Sequence, residues 1–193
     1  YRVLPEQHAI KRIRQLFSQV LHYPEPVSLP DCALTQLPLT RVTAAENYLV
    51  FLHGTARPEK CWPETYWQQL IKLVLEAYPE LKIFLPWGNA EEKLRAERLA
   101  LEKARVYLLP KLNLTEVAGV LAKASAVVAV DTGLGHLAAA LETPIISLYG
   151  PTFPELNGAL GPYSSHLKAA TLAEIFPGAV FQALQKIDLN ALL

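Results

Sequence analysis

The sequence contains no methionine, only two cysteines and no excess of charge of either sign. Because methionine is missing, the 193 residues show no native translation start, and we expect a fragment of a longer protein. Cys32 and Cys61 are too few for a disulfide framework, which favours a reducing compartment. The 18 basic and 18 acidic residues cancel, which argues against a general nucleic-acid-binding protein, since such proteins need excess cations to neutralise phosphates.

Long apolar runs and several catalytic motifs are also missing. No stretch approaches the roughly 20 apolar residues that a transmembrane helix needs. The sequence has no Walker lysine motif, no G-x-G-x-x-G dinucleotide fingerprint and no G-x-S-x-G nucleophile turn. His53 and His136 are far apart and lack the Cys/His spacing of a zinc site, so we expect no metal centre.

The first 46 residues are predicted to form an amphipathic helix and a proline-rich linker. Apolar residues recur at helical spacing within residues 6–21, with basic residues among them. Such a helix is compatible with a membrane surface, but we favour a surface helix that packs on the domain. Residues 22–39 contain four prolines and are predicted to be an extended linker.

Residues 47–193 are predicted to form one α/β domain, with a Rossmann-like parallel sheet and helices on both faces. The 51% hydrophobic content is enough for one sizeable core. Short apolar runs alternate with helical patterns, as in right-handed β-α-β crossovers. The predicted strands are 48–52, 81–85, 106–109, 126–130 and 144–149. The predicted helices are 63–78, 90–104, 114–124 and 134–141, with a last one near residue 177. Residues 150–165 are expected to be loop.

The stretch "DTGLGH", residues 131–136, lies between a predicted strand and a predicted helix. Gly133 allows a ligand to approach the backbone, and the helix start offers free N–H groups and the positive end of a dipole. Thr132 and His136 are four residues apart and can line one face of the first turn. Asp131 fits a partner of sugar hydroxyls or a helix cap. Ordinary capping with a packed histidine remains the alternative.

Two other loops that follow predicted strands carry matching chemistry. Thr55, Arg57 and Lys60 follow the first strand and supply a hydroxyl and two cations suited to phosphate. Glu91 and Glu92 follow the second strand, and either carboxylate suits ribose hydroxyls. Solvated surface charges and acids that complement a helix dipole are the alternatives. In an open parallel sheet such loops meet at one edge, which is where ligands bind.

Taken together, these segments resemble the bacterial lipopolysaccharide heptosyltransferases, in particular those of type I. The resemblance rests on "HGTARPEKCWPETYW", "LPWGNAEE", "LLPKLNLTEVAGVLAKASAVVAVDTGLGHLAAAL" and "LYGPTFP", and it runs from about residue 1 to about residue 161. It implies the two-domain GT-B fold, of which this chain matches the linker and the C-terminal, donor-binding half. The N-terminal domain, which binds the acceptor and carries the general base, has no counterpart here.

The resemblance also implies a reaction. The donor would be ADP-L-glycero-D-manno-heptose, and heptose would pass with inversion to Kdo of lipid A-Kdo in the lipopolysaccharide inner core. No obligatory cofactor and no nucleic-acid partner are expected. The full-length enzyme would lie in the cytoplasm, peripheral at the inner face of the bacterial inner membrane, and this chain alone would be inactive.

Site residues follow from the resemblance position by position. Lys60 and Asp131 match the residues that stabilise the leaving group and position the sugar. The donor-binding positions are Thr55, Lys60, Glu92, Leu112, Asp131, Thr132, Gly133 and His136. Two positions depart from the family pattern, since Ala56 stands where a second threonine is expected and Gly135 where serine is usual.

Two other interpretations remain open. One is another heptosyltransferase, or a transferase that uses a different nucleotide sugar. The other is a nucleotide-binding module without catalytic activity, because the chain shows no evident base or acceptor site.

Overall fold

The computed structural model describes residues 1–39 and 47–187. The end of the predicted linker, residues 40–46, and the last residues of the predicted domain, 188–193, lie outside the described residues. Six parallel strands form one sheet in this part of the chain, in the order β3-β2-β1-β4-β5-β6. They are β1 (Tyr48–Leu52), β2 (Lys82–Leu85), β3 (Val106–Leu108), β4 (Ala126–Val130), β5 (Ile145–Tyr149) and β6 (Ser164–Lys168).

Seven α-helices accompany the strands within the described residues. They are α1 (Ala9–Leu21), α2 (Glu64–Ala77), α3 (Ala90–Ala100), α4 (Leu114–Leu121), α5 (Gly133–Ala140), α6 (Pro154–Asn157) and α7 (Pro177–Gln185). Helices α2, α3 and α7 pack on one face of the sheet. Helices α4 and α5 pack on the other. The predicted α/β class with two helical layers is confirmed.

The central strands of the sheet are buried on both faces, which explains their continuous apolar sequences. All five residues of β1, β4 and β5 are buried. In register, Leu49 of β1 lies beside Ile83 of β2 on one side and Ala126 of β4 on the other. The order of strands therefore reverses next to β1, which places a crevice beyond the ends of β1 and β4.

Helix α4 begins at the predicted residue, whereas helix α3 ends earlier than predicted. Helix α4 begins after Asn113, whose side chain accepts a hydrogen bond from the N–H of Glu116 while the Glu116 carboxylate accepts one from the N–H of Asn113. This reciprocal capping box identifies Asn113 as the cap of α4. Helix α3 ends at Ala100 instead of residue 104, and Glu102 beyond it has a left-handed φ of 58°.

The expectation that residues 150–165 form only loop was wrong. They contain the single turn α6 and the start of β6, which pairs with β5 along its whole length, from Ser164 beside Ile145 to Lys168 beside Tyr149. Since β6 is an edge strand with exposed polar side chains, it lacks the apolar run that revealed the other strands.

Helix α1 lies at the surface with its apolar side turned outward. None of its residues is buried, and Ile13, Phe17 and Leu21 are 56%, 52% and 62% exposed. Hydrogen bonds link the helix to its surroundings: the ring of its N-cap residue His8 lies 3.1 Å from the carbonyl oxygen of Gly158, and Arg14 donates to the linker carbonyls of Pro26 and Ser28. The helix therefore does not use its apolar face to pack on this domain. No helix in the described ranges is long and apolar enough to cross a membrane.

Candidate functional site

The candidate site lies at the sheet edge where β1 and β4 end. The loop after β1 and the turn between β4 and α5 are neighbours because the two strands are paired, with Leu52 beside Ala129 at the last register position. Residues 53–62 and 131–136 are distant in sequence, and the parallel pairing brings them together.

Lys60 and Asp131 form an ion pair across this junction. The Lys60 ammonium lies 2.6 Å from Oδ2 of Asp131, and the two side chains are only 19% and 15% exposed. Thr55 adds a second link, since its hydroxyl donates to the main-chain carbonyl of Asp131 at 3.1 Å. The Asp131 carboxylate thus binds a cation and does not cap α5, whose N-cap is Thr132. The capping interpretation of Asp131 was wrong.

The start of α5 has free hydrogen-bonding groups and open space. The side chain of Thr132 makes no capping hydrogen bond. A methyl group at Gly133 would meet no atom within 4 Å, and no glycine has a positive φ among the described residues, so neither packing nor backbone strain requires glycine there. Desolvation lowers the pKa of His136 and favours the neutral imidazole. The negative charge of Asp131 acts in the opposite direction but is the smaller effect. This arrangement suits an anion, with amides, a hydroxyl and a neutral N–H donor.

A cavity of about 230 Å³ adjoins this helix start. Three of the predicted residues line it: Glu92, Leu112 and Thr132. Its other walls are mostly apolar, and its lining also includes Leu52, Gly54, Pro86, Trp87, Gly88, Leu114, Val117 and Leu134. Such a cavity suits a flat, mostly apolar ligand whose polar groups face Glu92 and Thr132.

The structure separates the roles of the two adjacent glutamates. Glu91 pairs with Arg95 at 3.1 Å and has a side chain that is 85% exposed. Glu92 turns back toward the cavity, where its Oε2 accepts a hydrogen bond from the N–H of Gly88 at 2.7 Å. Asn89 caps α3 by accepting from the N–H of Glu92 at 2.9 Å. Of the two, only Glu92 lines the cavity beside Thr132.

Sequence reasoning missed two residues near the site. Trp87 lines the cavity and is fixed by a hydrogen bond from its Nε1 to the carbonyl of Leu109, at 2.7 Å. His53 is 1% exposed directly after β1, and burial, assisted by Arg95, lowers its pKa from 6.5 to about 4. The burial of His53 could have been predicted from the sequence, because this residue directly follows a continuous apolar strand.

The two departures from the family pattern have different surroundings. Ala56 lies beside a second cavity of about 260 Å³, which Thr55, Cys61, Asn89 and Arg95 also line. A methyl group at Gly135 would lie 3.5 Å from the Cβ of Ala129, an ordinary contact, so the fold has room for a Cβ there. No group of three or more potential metal ligands occurs in the part of the chain that the structure describes.

Residues 1–182 match the model of glycosyltransferase family 9 (heptosyltransferase). The chain belongs to this family. It is 49% identical over 167 residues to lipopolysaccharide heptosyltransferase 1 of Pseudomonas aeruginosa. The aligned region covers 86% of this chain and 46% of that protein. It is 48% identical over 162 residues to lipopolysaccharide heptosyltransferase 1 of Escherichia coli K12, covering 83% and 50%. The chain therefore spans about half the length of these relatives.

Solved structures of this glycosyltransferase family agree with that assignment. The chain superimposes on E. coli heptosyltransferase WaaC with ADP with a TM-score of 0.86 and 43% identity, over 96% of this chain and 58% of that one. The same enzyme with ADP-2-deoxy-2-fluoro heptose gives a TM-score of 0.83 and 42% identity over the same shares. E. coli ADP-heptose lps heptosyltransferase II, at 22% identity and a TM-score of 0.75, shares the fold.

Proposed function

We propose that this chain is the donor-binding half of a GT-B heptosyltransferase of type I, with residues 1–46 as helix and linker and 47–193 as donor domain. The substrate would be ADP-L-glycero-D-manno-heptose and the acceptor Kdo of lipid A-Kdo. The observation that carries the proposal is the grouping of Glu92, Leu112 and Thr132 around one cavity, with Lys60 and Asp131 paired at the same sheet edge. The WaaC structures hold ADP and an ADP-heptose analogue, which supports a nucleotide-sugar ligand.

Each part of the donor has a matching group in the proposed complex. Adenine lies on the apolar wall that includes Leu112, and the ribose hydroxyls donate to Glu92. The diphosphate binds the main-chain N–H of Thr55, the ammonium of Lys60 and the start of α5. At that start Thr132, Gly133 and His136 supply donors and Gly133 supplies space. Asp131 accepts hydrogen bonds from the sugar.

The proposed chemistry is an inverting displacement. The bond between the anomeric carbon and the terminal phosphate oxygen breaks, its electron pair stays on that oxygen, and the acceptor hydroxyl attacks the opposite face of the sugar. The acceptor proton passes to a general base in the acceptor half of the enzyme. Lys60, the hydroxyl of Thr132 and the dipole of α5 stabilise the negative charge that grows on the diphosphate, with no obligatory metal or cofactor.

The acceptor half would be a further domain, outside residues 1–193, without which this chain is inactive. The outward apolar face of α1 supports such a partner, because its exposed Ile13, Phe17 and Leu21 need cover that this domain does not give. The acceptor, an anionic lipid-linked sugar, would hold the complete enzyme at the cytoplasmic face of the inner membrane.

Nucleotide competition tests the proposal. Calorimetry on residues 1–193 should show ADP bound more tightly than UDP or GDP, since the cavity beside Glu92 recognises the base as well as the ribose. Equal affinity for all three would favour a different nucleotide-sugar transferase. Heptose transfer by this chain alone would refute the need for a separate acceptor half, whereas ADP binding without transfer, even after the acceptor half is added, would favour a non-catalytic module.

A further inference from the structure

The Lys60–Asp131 ion pair places a negative charge beside the proposed diphosphate site. An ammonium has three N–H donors, so Lys60 can bind a phosphate oxygen while it still donates to Asp131. The Asp131 oxygen lies 2.6 Å from the ammonium. A phosphate oxygen bound to the same ammonium at the usual distance of about 2.8 Å would therefore lie within about 5.4 Å of that carboxylate oxygen.

The carboxylate is held at this place and is poorly screened. Its side chain is 15% exposed, and the hydroxyl of Thr55 fixes the main-chain carbonyl of the same residue at 3.1 Å. Charges that are this close and this little exposed interact more strongly than charges in bulk water.

The donor and the product of the proposed reaction differ in charge at this point. In a nucleotide sugar the terminal phosphate is esterified and carries one negative charge. After the sugar leaves, the same phosphate is a monoester with a second ionisation near pH 6, so at neutral pH it carries close to one additional negative charge.

We propose that Asp131 makes the site prefer the sugar-bearing donor over the ADP product. The carboxylate repels the extra charge of the free terminal phosphate, and its remaining lone pairs accept hydrogen bonds from the sugar that only the donor carries. Lys60 offsets the repulsion between Asp131 and the single charge on the terminal phosphate of the donor. It does not fully offset the repulsion of the additional charge on ADP, so that release of ADP is favoured. This inference rests on the proposed function, because it assigns to Asp131 a selectivity within the donor site.

The test compares ADP with its β-methyl ester by calorimetry at pH 7.5. The ester adds one methyl group to the terminal phosphate and removes its second ionisation. The wild-type chain should bind the ester at least as tightly as ADP. Asp131→Asn, which keeps the shape and removes the charge, should bind ADP at least about threefold more tightly than wild type does, with the ester changed less. ADP-2-deoxy-2-fluoro heptose should lose affinity in the same variant.

A matched control is Glu155→Gln, which makes the same change in net charge at an exposed residue of α6, at the same sheet edge. It should leave the ratio of the two affinities unchanged. Weaker or equal ADP binding by Asp131→Asn would overturn the inference and show that the carboxylate only positions Lys60. A wild-type preference for ADP over its ester would overturn it without any variant. Failure of the wild-type chain to bind either ligand would instead count against the proposed function.

Discussion

The carboxylate of Glu92 accepts a hydrogen bond from the main-chain N–H of Gly88, 2.7 Å away, and this contact turns the side chain toward the cavity. Oε2 is used by Gly88, which leaves Oε1 for a ligand hydroxyl. Glu92→Ala should therefore weaken ADP binding by about 1.5 to 3 kcal/mol, the cost of a lost hydrogen bond to a charged group. Calorimetry with ADP and with 2′,3′-dideoxy-ADP checks this, since only the former has ribose hydroxyls. The variant should not affect dideoxy-ADP, and Glu91→Ala should change neither affinity.

Removal of the Lys60 ammonium should weaken nucleotide binding. Lys60→Ala deletes a cation that faces the diphosphate and leaves Asp131 without its 2.6 Å partner, so both effects act against ADP. The expected loss is about 1.5 to 3 kcal/mol. Titration calorimetry measures it, with Lys72→Ala on the outer face of α2 as the control, because that lysine is 74% exposed. An unchanged ADP affinity would remove Lys60 from the site.

Thr132 and Asn113 both precede helices, yet their side chains differ in what they do. Asn113 caps α4, whereas the Thr132 side chain makes no capping hydrogen bond to α5. Thr132→Val should weaken ADP binding about fivefold or more with little loss of stability, while Asn113→Ala should cost about 0.5 to 2 kcal/mol of stability and leave ADP binding alone. Urea unfolding and ADP titration of both variants test the pair. The reverse pattern would make Thr132 a structural residue.

His53 should make stability depend on pH. Its pKa is lowered from 6.5 to about 4 in the folded chain, so between these values the unfolded chain binds a proton that the folded chain does not. The free energy of unfolding therefore rises with pH across this window, and acidification should remove up to about 3 kcal/mol.

The measurement is urea unfolding between pH 4 and pH 7. His53→Gln should flatten the dependence, because a residue that does not titrate replaces the imidazole. His22→Gln, at the exposed residue that follows α1, should leave this pH dependence unchanged. A slope that persists in His53→Gln would assign the effect to another group.

The apolar face of α1 should govern self-association rather than stability. Phe17 is 52% exposed, so Phe17→Ser removes little buried area. We expect unchanged unfolding and unchanged ADP affinity, with less concentration-dependent association in analytical ultracentrifugation. Leu70→Ala, at a fully buried residue of α2, is the contrast and should cost about 2 to 5 kcal/mol. Loss of stability in Phe17→Ser would show that this face is already packed.

The sequence predicted the buried parts of the fold well because their signals are local. Strands β1 and β4 match their predicted bounds, since continuous apolar runs such as "YLVFL" suit burial on both faces. Strand β6 was missed because "SSHLK" lies at an edge and has no such run. The outward face of α1 could not be predicted either, because periodicity shows that a helix has an apolar side but not what covers it.

At the candidate site, the sequence indicated which loops lie close together at the sheet edge, but not which of their side chains form hydrogen bonds or ion pairs with each other. The sheet edge followed from the alternation of strands and helices typical of a parallel sheet, and the structure groups Glu92, Leu112 and Thr132 there. The bond between Lys60 and Asp131 joins residues 71 positions apart, and no local pattern encodes it. What each residue binds stays a prediction until a nucleotide is titrated.

The reversal of strand order beside β1 should couple nucleotide binding to local unfolding on both sides of the sheet. The proposed nucleotide site draws on both flanks of the sheet, through Lys60 after β1 and Asp131 after β4. A partly opened molecule that keeps only one flank would have no affinity for ADP. Nucleotide should therefore slow amide hydrogen exchange in β2 and in β5 to the same extent. The bound ligand would then suppress the separate local unfolding of the two sides of the sheet, one containing β2 and the other β5.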